Sequence, residues 1–259
     1  MIEFGREIFA NRYVIWSLVV NDLKRRYRNS FLGVAWSFLS PLGLVLVIGF
    51  IFSKVLGVKF ESFVPFLFSG MMPWIFITQC ADMGANCFLS GEGYIKQINI
   101  PLIVFPVRVA LGAFINLLIA LISFSLILAM IQPDRYGPGT LMTLPGLIII
   151  FFTGVGLSVL SGTINTFIRD FSHIQGIALQ ALFYATPIIY PVETLGEKYS
   201  WIYKYNPIYH IINIIREPLL NNAPASTNSY FWAISFAAGL VIFSIMLLRA
   251  SKRALIFKI

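Results

Sequence analysis

Four cations fall within residues 24–28: Lys24, Arg25, Arg26 and Arg28. A guanidinium offers a planar fork that matches pairs of phosphate oxygens, so such a cluster suits a phosphate-bearing headgroup or substrate. The competing reading is topological, because basic residues also hold the flank of a membrane segment on the cytoplasmic side. Neither reading involves catalysis, and the usual catalytic sets are missing. His173 and His210 are the only histidines, and they fall on opposite predicted sides of the membrane. There is no H-E-x-x-H, G-x-S-x-G or D-x-D pattern. Cys80 and Cys87, the only cysteines, read as small packing residues rather than as a disulfide or a metal site. No phosphate loop of the G-x-x-x-x-G-K type occurs, so ATP energy must come from another chain, and no cofactor is expected on this one.

The remaining polar chemistry is sparse. Asp82, Glu92 and Asp170 lie at the predicted inner boundary, where Asp82 has Arg108 as a candidate ion-pair partner and Arg169 has its neighbouring acids. Deeper positions carry neutral groups: Asn116, Asn165, Gln175, Gln180 and Thr186. A carrier coupled to protons or sodium normally buries an acid at mid-depth, and none is found there. A path lined by amides, hydroxyls and rings suits a neutral, hydroxylated cargo such as a sugar.

The elements that must position these residues are membrane helices. The chain of 259 residues is 58% hydrophobic and 12% charged, which leaves too little polar surface for an aqueous globule. Six stretches, 31–53, 63–83, 103–131, 144–168, 174–192 and 229–248, are each about the 20 residues that cross a bilayer. They predict an all-α polytopic membrane protein forming a single transmembrane domain over 1–259. The N-terminal thirty residues show no cleavage pattern, so the first span is expected to be the retained insertion signal. With both termini in the cytoplasm, thirteen of the 19 Lys and Arg lie inside and six outside. The net charge of +8 is therefore explained by topology, without nucleic acid.

Residues 12–29 alternate apolar and basic positions at helical spacing, with Val14, Leu18 and Val19 able to share a face, and predict a helix lying in the membrane plane. Residues 84–101 form a polar cytoplasmic loop with a short helix after Ser90. Gly154, Ser158 and Gly162 recur every four residues and allow close helix approach, within the chain or between subunits. Pro187 and Pro191 end the fifth span. Trp201 to Tyr205 and Ile208 to Leu220 are apolar but too short to cross, which predicts a dip into the outer leaflet broken at Asn206-Pro207.

Several stretches together resemble the membrane subunits of polysaccharide ABC exporters. They are DLKRRYRNSFLGVAWSFLSPL at 22–42, RDFSHI at 169–174, ATPIIYP at 185–191 and YNPIYHIINIIREPLL at 205–220. The family exports O-antigen, capsule or teichoic acid polymers. The resemblance implies half of a homodimer in the bacterial cytoplasmic membrane, docked to two copies of a separate ATPase that binds ATP and Mg. It implies an interface helix at 12–29, a coupling helix at 88–99 and a re-entrant outer gate at 194–220. The cargo would be a polymer on a polyprenyl pyrophosphate, its pyrophosphate held by Lys24, Arg25, Arg26 and Arg28. Glu92, Tyr94, Ile95 and Lys96 would contact the ATPase, and Tyr184, Pro187, Tyr190, Trp201 and Tyr209 would line the channel or its outer gate.

Three rivals are open at this stage. An ABC exporter of small hydrophobic compounds shares the topology but does not require the basic interface helix. A polyprenyl-linked glycosyl or phosphate transferase would need the missing acids and histidines. A structural scaffold does not explain re-entrant helices.

Overall fold

Among the described residues the chain forms eleven α-helices and no strand. The computed structural model describes residues 2–28, 30–97, 100–132 and 137–258. Asn29, the 98–99 end of the expected coupling helix and 133–136 of the expected outer loop lie outside them. In chain order the helices are α1 (Ile2–Ala10), α2 (Arg12–Tyr27), α3 (Trp36–Leu56), α4 (Phe60–Ala85), α5 (Glu92–Gln97), α6 (Val104–Ile131), α7 (Thr143–Phe167), α8 (Phe171–Ala185), α9 (Trp201–Lys204), α10 (Pro207–Asn221) and α11 (Thr227–Lys258). Five of them, α3, α4, α6, α7 and α11, are long and apolar enough to cross a membrane.

The centre of the bundle is α4, which packs on α3, α6, α7, α8 and α10. Lipid tails are as apolar as leucine, so dispersion and hydrogen bonds must hold these helices together. Phe68 supplies one such contact, stacking on Phe124 of α6 at 3.8 Å between ring centroids. The small-residue face of α7 supplies another. Gly154 lies under Phe76 and Cys80 of α4, Gly162 lies under Cys87, and Ser158 Oγ donates to the Cys80 carbonyl at 2.9 Å. The face is thus used inside the subunit. From the other side Gly84 meets the Ser158 backbone, where a Cβ would come within 2.6 Å of its Cα. Backbone cannot swing away as a side-chain tip can. Gly84→Leu is therefore expected to cost about 3 kcal/mol, the upper end of ordinary overpacking. Loss of monodisperse protein in mild detergent on warming measures it, and an unchanged melting temperature would refute this packing argument.

Several boundaries differ from expectation for physical reasons. Pro41 lies inside α3, and α4 runs through Pro65 and Pro73. Neighbouring helices and local adjustment compensate a missing N–H in a membrane bundle. The expected fifth span, 174–192, is helical only as α8, which stops at Ala185 because Thr186 precedes Pro187. At 15 residues, α8 rises about 22 Å. The last helix is longer than expected, continuing through Arg249, Lys252 and Arg253, since no glycine or proline stops it. Asn206 caps α10, its Oδ1 accepting from the Ile208 and Tyr209 amides at 3.0 and 3.4 Å, with Pro207 in the first helical position.

Candidate functional site

A cleft with a basic mouth enters the bundle between α2, α3, α4 and α6. Its mouth is a cavity of about 750 Å³ lined by Arg25, Arg26, Asp82, Asn86, Ser90 and Asn116, among others. It continues into a second cavity of about 290 Å³ that shares Arg26, Ala113 and Asn116 and adds Ser37, Ser40 and Gln79. Ser37 Oγ donates to Asn116 Oδ1 at 3.1 Å, which joins α3 to α6 across the cleft. On the far side of Leu44 and Ile75, a groove of about 370 Å³ between α4 and α8 presents Thr78, Gln180 and Tyr184. Amides and hydroxyls therefore follow one face of the bundle from the basic mouth along α4.

The basic cluster is divided by helix geometry. Successive residues of α2 point about 100° apart, so Arg25 and Arg26 line the cleft while Lys24 faces a separate groove beside Gly33 and Val34. Arg28 is exposed and lines neither cavity. The buried Ile15, Leu18 and Val19 seat α2 against the bundle, where it packs on α6. Asp22 pins it there, its Oδ2 lying 3.0 Å from Arg108 Nε. This corrects the expected Asp82–Arg108 pair. Arg108 pairs with Asp22 of α2, and Asp82 makes no ion pair among the described residues.

Of the five deep polar residues read as path lining, Asn116 and Gln180 line cavities. The others brace the fold. Asn165 donates to the Ala85 carbonyl at 2.9 Å, Gln175 bonds Ser161, and Thr186 is buried. Asn165 and the Gln175 oxygen bond neighbouring helices rather than facing a path, while Gln175 Nε2 is buried without a partner.

At the same end as the basic mouth, α5 projects after a 3-10 turn at Leu89–Gly91. Gly91 is pressed onto the Phe105 ring, where a Cβ would lie 2.5 Å from the ring atoms. Tyr94 is 40% exposed, whereas Ile95 is half-buried and packs on the core. Glu92 and Lys96 form an exposed pair at 2.7 Å. That hydrogen bond, then the Lys96 charge, hold the Glu92 carboxyl below the usual carboxylate range. Arg169 acts on Glu92 from the turn between α7 and α8, so both connections face the same side.

The opposite end carries the expected gate residues in separate groups. Tyr184 is exposed, its carbonyl accepting from the Tyr190 hydroxyl at 2.9 Å, and Pro187 is buried between them. Tyr209 packs edge-on against Tyr203 on α9 at 5.4 Å, while Trp201 is exposed and apart. Burial, the largest influence on it, pushes the Tyr209 hydroxyl up from its ordinary pKa. His210 fastens three elements. Its Nε2 faces the Lys204 carbonyl at 2.9 Å and so must donate, leaving Nδ1 to accept from Ser229 at 3.1 Å.

Comparison with known proteins decides the family. Residues 13–220, most of the chain, match the family described as "ABC-2 type transporter". The chain belongs to that family. Among relatives of this ABC-2 chain, one from Klebsiella pneumoniae named "O-antigen export system permease protein RfbA" is 28% identical over 85% of this chain and 84% of its own. One of the same name from Myxococcus xanthus is 31% identical over 76% of each. The "Polysialic acid transport protein KpsM" of Escherichia coli is 20% identical over 99% of each.

Three features of the ABC-2 chain escaped the sequence. Ser37 and Ser40 had a legible signal, as hydroxyls one helical turn apart on α3. The Asp22–Arg108 pair had none, since it joins residues 86 positions apart. Arg216 was counted only as an outside charge, yet in this ABC-2 chain it is 5% exposed.

Proposed function

We propose that the chain is the permease subunit of an ATP-driven exporter that moves a polysaccharide on a polyprenyl pyrophosphate carrier outward across the bacterial cytoplasmic membrane. The observation that carries this reading is the cleft, which has guanidinium groups at its mouth and neutral amides and hydroxyls within. Phosphate chemistry at the mouth and sugar chemistry beyond it match the two halves of such a substrate. The names of the relatives point the same way.

In this reading the α2 end, both termini and α5 face the cytoplasm. The sixth crossing is made by α8, about 22 Å long, together with residues 186–191, which follow it through a series of bends. A second copy closes the open side of the cleft, where α3 exposes Leu44, Val47, Phe50 and Ile51. Tyr94 with Glu92 and Lys96 contacts the ATPase, one ATPase per permease, and ATP and Mg are bound there. Residues 194–220 form the re-entrant outer gate. Its mobile part is the stretch before Asn206, where Tyr199, Trp201 and Tyr205 are exposed, and its fixed side is the buried face of α10.

Deletion of the gene tests this. Carrier-linked polymer should accumulate inside the cell and vanish from its surface, and the restored gene should reverse both. Normal surface polymer together with lost efflux of a small hydrophobic dye would instead favour a drug exporter of the same family.

A further inference from the structure

Arg216 is a buried cation with no ion-pair partner among the described residues. It sits on the inner face of α10, and its fork reaches across α4 to the point where α8 ends. Nη1 donates to the Pro187 carbonyl at 3.0 Å and Nη2 to the Ile188 carbonyl at 3.3 Å, while Nε has no partner. The guanidinium lies over the Phe66 ring at 4.1 Å. It fits only because residue 70 is glycine, since a Cβ there would collide with Nη2. Burying a charge without a counter-ion is unfavourable, and such groups persist where a specific contact needs them.

The contact in question ties a lightly held element to a firmly held one. Nearly all of α8 is at least partly exposed and it packs chiefly on α4 and α7, whereas α10 is buried against α4, α7 and α11. Thr186 follows α8 directly and accepts from Asn206 Nδ2 at 2.9 Å, and Pro187 and Ile188 come next. Among the described residues no carboxylate lies within ion-pair distance of the fork, Glu217 and Glu193 acting on it only from farther away, so the two carbonyls can be released without breaking an ion pair. We infer that Arg216 is the latch of the resting state, fastening the break after α8 to α10 and thereby keeping the outer end of the path sealed until transport pulls the break away. This rests on the gate reading above and assigns the residue that sets its resting position.

Two substitutions remove the latch by different chemistry. Arg216→Met deletes the fork. Gly70→Ala keeps the charge but fills its seat, and it is the milder change because the atom displaced is the tip of a flexible side chain. The permease and its ATPase are reconstituted in liposomes without nucleotide, and proton leak is followed with an entrapped pH dye. Both variants should leak about tenfold faster than wild type, the change that about 1.4 kcal/mol produces. Arg216→Lys should fall between, since a point charge reaches one carbonyl but cannot fork. An unchanged leak in assembled, ATP-hydrolysing Gly70→Ala protein overturns the latch, including where Arg216→Met fails to assemble. A separate arm tests the gate itself, by joining cysteines at Thr186 and Asn206 with a short bifunctional reagent in a background lacking Cys80 and Cys87. Full export by the joined protein overturns the moving gate. A halt in export together with an unchanged leak in Gly70→Ala overturns the latch alone.

Discussion

Arg25→Gln with Arg26→Gln should lower polymer export by about thirtyfold at limiting substrate while the protein still inserts. The figure takes about 1 kcal/mol for each exposed basic residue facing a phosphate, and 1.4 kcal/mol for each factor of ten. Both side chains line the mouth, and Arg26 also reaches the inner cavity. Lys24→Gln with Arg28→Gln removes the same charge from positions off the cleft and should change export little. That pairing separates phosphate binding from topology, because the two double variants have equal effects on positive-inside bias. Export is read as surface polymer per unit of membrane-inserted protein. Equal losses in both pairs, or none in the first, would return the cluster to a purely topological role.

Tyr94→Asp should weaken docking of the ATPase by about thirtyfold or more, as expected for an aromatic anchor worth at least about 2 kcal/mol at the centre of an interface. The side chain is exposed on a six-residue helix, so the change places a charge at the contact without disturbing the bundle. Ile95→Asp is the less clean experiment, because Ile95 packs on the core and its substitution also loosens α5. Co-purification of the two subunits measures docking, and elution as a single species reports that the permease is intact. Full co-purification with normal ATP-driven export would remove Tyr94 from the interface.

The sequence revealed what depends on local pattern and concealed what depends on long-range pairing. The long apolar helices, the basic helix before the first span and the break at Asn206-Pro207 were all readable, because hydropathy, helical spacing and proline act within a few residues. The end of α8 was misplaced by several residues, since apolar residues continue through 186–191 after the helix has stopped. Which cations face the cleft was not readable, because Lys24 and Arg25 differ only by one helical step. The partners of Arg108 and Arg216 lie far away in the chain, and no spacing rule reaches them. The small-residue face of α7 was seen, but only its contact with Gly84 shows which helix it serves.

The uneven packing of the bundle has a consequence for how such a protein can diversify. Helices α4, α7 and α10 interlock through glycines, buried hydroxyls and isoleucines, so most changes there would be felt as lost stability. Helices α3 and α8 expose most of their side chains, and they contribute to the cleft and to the groove beyond it. Substitutions on those two helices can reshape the lining while leaving the interlocked part untouched. On the proposed reading, the residues that choose the polymer and those that hold the fold together are largely separate sets, and one can drift while the other is held constant.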